Sequence, residues 1–446
     1  MKTRRAIELA CLTLLFLAIR VVLLYAREPF YDELFTLWMA RQPAANVLPN
    51  LLHDSGPPLY YWLARFDSVV ALRWLSLFFA TIQFLLVARR SMIAGALITI
   101  FPPAVLFAVD ARSYALCALF VTIGVLACER DGPWLAAIAL TLAAYTHYYG
   151  VLFFPLLAFR GARATSPARL RLAFPLPFLL FIPGFLLASR QPAEAFGWVR
   201  EPWWKVFTGF STAGPYPEAL FAPAPVALII AAVLLFLAAV SGARATPPAP
   251  LPPGGRGRPR STVFALAALV PIAGAIAFAV AGRPVYFPMR FESVLAAPLV
   301  LWAAAGLQGW GRRVRFAILA GLLAAGSISV FLGIIDHQRR PADPYREAAL
   351  VLREMAGEGQ PVYATGYLYL EAAVALDRVV GALPRAQAEH PGWRATEPIR
   401  DLPPDAFLWV VERQSNELAG VARRRKVLPL FLNERAAIVR VAAAGN

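Results

Sequence analysis

The sequence predicts an all-α, multi-pass membrane protein of about eleven helices, followed by a small C-terminal α/β domain. Three observations carry this reading. The 446 residues are 59% hydrophobic and only 16% charged, where a soluble domain holds about 25% charged residues. The apolar residues come in runs near the ~20 that a helix needs to cross a bilayer. After residue 335 the composition turns mixed and polar. Helices are the expected form of the runs, because a helix satisfies its own backbone groups inside lipid.

The runs lie at 6–25, 67–88, 92–109, 113–128, 133–146, 148–159, 172–188, 221–241, 263–281, 291–308 and 316–335. The first follows a basic start, as in a signal peptide, but no small-residue cleavage site precedes "REPF", so it reads as an uncleaved helix. The runs 133–146 and 148–159 are short and separated by "YTHYYG"; two tilted helices and one broken re-entrant unit both fit. Cys11, Cys117 and Cys128 fall in or beside apolar runs and read as small core residues. No internal repeat is visible.

Charge sets the orientation. With the N-terminus in the cytoplasm, that side holds "KTRR", "ARR", "ER", "RGARATSPARLR", "GARATPPAPLPPGGRGRPR" and "GRRVR", whereas the other side holds scattered basic residues. The formal net charge of +16 thus reflects membrane topology and does not point to nucleic acid. Residues 242–260 read as a Pro/Gly/Arg-rich cytoplasmic linker. The expected division is a membrane domain over 1–335, with its first outer loop at 27–66, and an outer-face α/β domain over 336–446. That domain shows β-type pieces at 361–365, 406–411 and 436–441 and a helical piece at 345–356. An odd number of spans places it opposite the N-terminus, in the periplasm or its equivalent beyond the plasma membrane.

Four loops then bring polar groups to one membrane boundary. "FYDELFTLW" carries Asp32 and Glu33; "FAVDARSYAL" carries Asp110 and Arg112; "YTHYYG" carries His147; "GRPVYFPMRFE" carries Arg283, Arg290 and Glu292. Each has a plain reading by itself. The acid pair suits the first turn of a helix such as "ELFTLWMA". Arg112 has Asp110 as a neighbour or snorkels; a lone His is more often a hydrogen-bonded structural residue. Arg20, inside the first run, snorkels or meets an acid. As a set, carboxylates facing arginine and histidine at a lipid boundary suit an anionic lipid substrate. Phosphate favours Arg, and an attacking hydroxyl needs a carboxylate as base or orienter.

"YDELFTLWMA" followed by "HDSGPPLYYWLARF" resembles the first outer loop of GT-C superfamily glycosyltransferases. The nearest types are the dolichyl-phosphate-mannose protein mannosyltransferases and the lipid A aminoarabinose transferases. "VDARSYALCALFVTIGVLA" (109–127), "LTLAAYTHYYGVLFFPLLAF" (140–159) and "VYFPMRFESVLAAPLVLWAAAGL" (285–307) are similar to later parts of that fold, with Phe291 where a Tyr is usual. The resemblance covers roughly 20–335. The chain departs from the family in having Asp54-Ser55-Gly56 before Pro57-Pro58.

The resemblance implies an enzyme that takes a sugar from a polyprenyl-phosphate donor on the outer face, with inversion, and gives it to a lipid, glycan or protein acceptor. Asp32 is then the base or acceptor orienter and Glu33 its support. Arg112 and Arg290 hold the donor phosphate, helped by His147 and His53. Asp54, Tyr60 and Tyr61 support the acceptor or a metal. Asp32, Glu33 and Asp54 offer oxygen donors of the kind Mg or Mn takes; the sequence assigns neither ion. No Rossmann or P-loop fingerprint is present. The loop 191–220, with Trp198, Trp203 and Trp204, reads as an interfacial aromatic belt or as a flap over the donor. The alternative class is a transporter or flippase for a lipid-linked or anionic substrate. It predicts internal repeats and ionisable groups at the bilayer midplane. A non-catalytic scaffold gives no reason for acids and arginines to gather on four loops.

Overall fold

The computed structural model describes residues 2–27, 29–52, 54–130, 132–161, 172–191, 261–283, 285, 289–308, 310–339, 344–357, 360–364, 381–382, 407–412, 419, 422–423, 426–433 and 436–441. The expected span 221–241, the linker 242–260 and residues 192–220 of the Trp-bearing loop lie outside them, as does His53.

Among the described residues four helices are long and apolar enough to cross a membrane: Thr3–Ala26, Val69–Arg90, Thr262–Val280 and Arg290–Gln308. The run 316–335 lies within the 28-residue helix Arg312–Arg339, and other described runs give shorter or broken helices. The run 92–109 breaks into Met92–Ile100 and Pro102–Leu106, with extended Phe101 between, because Pro102 and Pro103 remove two backbone donors. Arg20 explains how that break is tolerated. It is fully buried, does not snorkel, and meets no acid among the described residues. Its guanidinium donates to the carbonyls of Phe16, Ile98, Thr99 and Ala104 at 3.0–3.3 Å, so it satisfies carbonyls that the interrupted helix leaves open.

The short pair resolves into two segments. Pro133–Thr146 ends at His147 (φ −154°, ψ 139°), and a 3₁₀ stretch, Tyr148–Phe153, runs on to the helix Leu156–Gly161. The 3₁₀ stretch lies directly on the preceding helix. A Cβ on Gly150 would stand 2.3 Å from the Ala144 nitrogen, so only glycine fits. Helix Arg290–Gln308 is buried along most of its length, against Tyr114–Glu129, Met92–Ile100 and Ser261–Val280. It therefore carries apolar residues on every side.

Beyond Arg339 the described residues form five strands of one sheet in the order β2-β1-β3-β5-β4: β1 Val362–Ala364, β2 Gly381–Ala382, β3 Phe407–Glu412, β4 Val427–Leu432 and β5 Ala436–Val441. β1 runs parallel to β2 and β3; β5 is antiparallel to β3 and β4. The sequence reading omits β4, whose Pro429 is unsuited to a central strand. β4 takes the sheet edge, with a register shift between Pro429 and Phe431. Helix Pro344–Met355 packs on the sheet. Its Ala348 and Leu352, with Val362, Ala436 and Ile438, share one apolar cluster with Leu34, Phe35, Tyr60 and Tyr61. The C-terminal elements thus rest on the loop that carries the acid pair.

Candidate active site

Asp32 and Glu33 occupy the first turn of helix Tyr31–Arg41, where acids favour the helix dipole. Capping explains the location but not the burial, and the two side chains do different things. Glu33 is wholly buried. Arg73 grips both of its oxygens, with Nε 2.8 Å from Oε1 and Nη2 on Oε2. The Ala111 N–H donates to Oε1 at 3.0 Å. Arg73 also donates from Nη1 to the carbonyls of Leu24 (2.9 Å) and Arg27 (2.7 Å). Arg27 in turn lies 3.8 Å from Asp110. Glu33 therefore ties together the end of the first helix, the helix Val69–Arg90 and the turn that carries Arg112.

Asp32 faces a partly open space. Its Oδ2 accepts from Arg290 Nη2 at 2.7 Å, and 23% of its side chain is exposed. Arg112 donates from Nη1 to the Asp32 carbonyl (3.3 Å) and to the Tyr61 hydroxyl (3.0 Å). Burial pushes the Asp32 carboxyl up, but the Arg290 and Arg112 charges and the Arg290 hydrogen bond outweigh it and hold it below the usual value. Glu33 is likewise pushed up by burial and held low overall by Arg73, Arg27 and the Ala111 N–H. Arg290 opens its helix directly after Met289, a non-glycine residue at φ 68°. Backbone held in that region persists only where its surroundings enforce it; here it aims Arg290 at Asp32.

Aromatic rings line the space behind this pair. The Arg290 guanidinium stands 5.7 Å from the Tyr114 ring centre. Tyr114 contacts His147 (5.1 Å), His147 contacts Tyr149 (4.3 Å), and Tyr149 meets Phe291 (5.2 Å). His147 Nδ1 accepts from the Tyr149 N–H at 3.2 Å, so the neutral ring carries its proton on Nε2. Burial, then Arg112 and Arg290, push His147 down to about 3. It is a neutral donor and not a cation. Tyr60 is buried with its hydroxyl 3.3 Å from Ser76, and burial pushes both Tyr60 and Tyr61 upward.

Asp54 lies in a loop held by a residue the sequence reading did not single out. Gln191 donates to the carbonyls of Leu51 (2.8 Å) and Gly56 (2.9 Å) and accepts from the Tyr148 hydroxyl (2.8 Å). Gln191→Ala leaves these groups unmatched and should cost about 1–3 kcal/mol of stability. Chemical unfolding in detergent measures it; an unchanged midpoint contradicts the role.

The described residues do not fit Mg or Mn. Both Glu33 oxygens are taken by Arg73, and Arg290 holds Oδ2 of Asp32. Among the described residues no group of three or more His, Cys, Asp or Glu is placed to share a metal ion. Positive charge at this site comes from guanidinium.

No protein-family model matches the chain, and no curated protein matches it. Among solved structures it is similar to ArnT from Cupriavidus metallidurans bound to undecaprenyl phosphate. The TM-score is 0.63 at 14% identity, over 98% of this chain and 97% of that one. It is also similar to ArnT of that organism in the apo state, with a TM-score of 0.62 at 13% identity over 96% and 97%. The chain has the ArnT fold. The resemblance in the loop motifs therefore holds for the fold. Within that fold the structure brings together Asp32, Arg112, Arg290, Tyr61 and His147 and places Glu33 behind them. Arg73 is the partner that sequence reading missed. An arginine inside an apolar run is its signal, since such a charge needs an acid nearby.

Proposed function

We propose that this chain is an integral plasma-membrane glycosyltransferase. It moves a sugar from a polyprenyl-phosphate donor to a lipid, glycan or protein acceptor on the outer face, with inversion. The catalytic membrane domain is 1–335, with about eleven helices and a cytoplasmic N-terminus. Residues 336–446 form an outer α/β domain. The observation that carries the proposal is the Asp32–Arg290 pair beside Arg112, in a fold shared with a protein whose structure holds undecaprenyl phosphate.

The chemistry follows from these groups. The acceptor oxygen bonds to the anomeric carbon as the bond from that carbon to the phosphate oxygen breaks. Polyprenyl phosphate leaves with the electron pair. Arg290 and Arg112 stabilise the charge that gathers on it. Held low, the Asp32 carboxylate is a poor proton acceptor while Arg290 grips it. A donor phosphate competes for the same guanidinium. As Arg290 turns to the donor, the proton affinity of Asp32 rises, and it orients the acceptor hydroxyl and takes its proton. His147 donates from Nε2 without adding charge. Glu33 positions the turn that carries Arg112.

Sign and direction fix the pH response. The folded values of Asp32 and Glu33 are depressed, so their stabilising contribution is present above the unfolded values near ~4 and is lost as pH falls through the lower folded values. His147 stays neutral above about 3. The profile of kcat/KM, which reports the free enzyme, should therefore show no inflection from these three groups between about pH 5 and 8. An inflection there that disappears in His147→Gln contradicts this arrangement.

The test of the function is donor consumption. Purified chain in nanodiscs is given a panel of polyprenyl-phosphate sugars with a membrane extract as acceptor source. Release of polyprenyl phosphate from one member supports the proposal. If every donor survives while the protein carries a lipid-linked sugar across vesicle bilayers, the flippase reading replaces it.

A further inference from the structure

At the end of the helix bundle opposite Asp32 lies a cavity of about 520 Å³ lined by Arg312, Arg313, Arg315, Ile93, Phe316 and Leu319. Its position follows from the chain path. Helix Arg290–Gln308 starts at the candidate site and ends away from it, and helix Arg312–Arg339 starts there. Likewise, Val69–Arg90 starts near Glu33, and Met92–Ile100 begins at its far end.

Membrane topology alone accounts for arginines at this end, but not for their arrangement. The three arginines line one cavity together with the apolar residues Ile93, Phe316 and Leu319. Among the described residues no carboxylate lies within ion-pair range of any of the three. They occupy the first turn of a 28-residue helix that has no acid there, where cations oppose the helix dipole. The cavity is thus a concentrated positive pole with no counter-charge among the described residues. Apolar side chains continue from it along the same helix: Phe316 is 72% exposed, and Ile328 and Phe331 are exposed further on. A soluble anion has no use for that path, whereas the acyl chains of a lipid do.

We propose that this cavity binds the phosphate headgroup of an anionic phospholipid, with the acyl chains lying along Phe316 and the exposed apolar face above it. The site is separate from the sugar-transfer site, and its test does not depend on transfer.

Native mass spectrometry of the full chain, released from detergent with added phosphatidylglycerol, phosphatidylcholine or glycerol phosphate, reads the site directly. Phosphatidylglycerol should be retained in preference to the other two. Arg313→Gln/Arg315→Gln should weaken retention by about tenfold or more, given about 1 kcal/mol per arginine near an anionic headgroup. Arg4→Gln/Arg130→Gln removes two exposed charges from the same end outside the cavity and should leave retention unchanged. If the cavity double variant does not fold, Arg313→Gln alone should show about a several-fold loss. Equal losses in the cavity and control variants overturn the proposal, because retention is then general charge attraction. Equal retention of phosphatidylcholine also overturns it, and glycerol phosphate binding as tightly as the lipid makes the cavity a simple anion site.

Discussion

Asp32→Asn is expected to abolish sugar transfer while leaving the protein folded and inserted. The change keeps the volume and removes the charge. Asp32 contributes Oδ2 to Arg290 and its backbone carbonyl to Arg112, and asparagine retains the carbonyl. The Asn amide neither takes the acceptor's proton nor orients it as strongly. A loss of about 10²–10⁴-fold in kcat is the scale for removing such a group. Single-turnover release of polyprenyl phosphate measures it, with size-exclusion behaviour as the control for folding. A variant that turns over at the wild-type rate reduces Asp32 to a first-turn acid of its helix and removes the mechanism.

Arg73→Ala is expected to have the largest effect on stability. It leaves Glu33 buried and charged, with the carbonyls of Leu24 and Arg27 also losing their donor. Breaking a buried pair by removing one partner costs about 3–5 kcal/mol. Replacing both, as in Glu33→Gln/Arg73→Gln, removes the stranded charge and should recover part of that loss. Unfolding in detergent, followed by intrinsic fluorescence, gives both values. A loss under about 1 kcal/mol for the single variant means that the pair is solvated and does not hold the Arg112 turn.

The two acids side by side in "FYDELFTLW" thus have separate tasks, one towards the open space and one towards the protein. The family resemblance implied Asp32 as base and Glu33 as its support, but the residues alone did not show which way each points, because neighbours on a helix point about 100° apart and only the packing partners tell the directions. The gathering of Asp32, Arg112, His147 and Arg290 was legible. All four stand at the ends of apolar runs, where hydropathy suggests a shared boundary. Arg73 and Gln191 were not singled out. Arg73 sits inside an apolar run, 40 residues from Glu33 in sequence, and Gln191 acts through backbone carbonyls 135–140 residues away. Hydropathy also concealed the breaks in the helices. The run 92–109 is apolar throughout, but Pro102 and Pro103 interrupt it, and Arg20 makes the interruption tolerable by satisfying the carbonyls it leaves. β4 was missed because Pro429 speaks against a strand, and the edge of the sheet is where that objection lapses.

The claim on which the mechanism turns is that Asp32 and the donor phosphate share Arg290. The binding of undecaprenyl phosphate to wild type, Asp32→Asn and Arg290→Gln, measured side by side in nanodiscs, tests it most directly. The account predicts that Asp32→Asn binds at least as tightly as wild type, since a competitor for the guanidinium is gone. Arg290→Gln should bind about tenfold or more weakly, as expected for the loss of a charge-assisted phosphate contact. Wild-type affinity in Arg290→Gln, or weakened binding in Asp32→Asn, contradicts it.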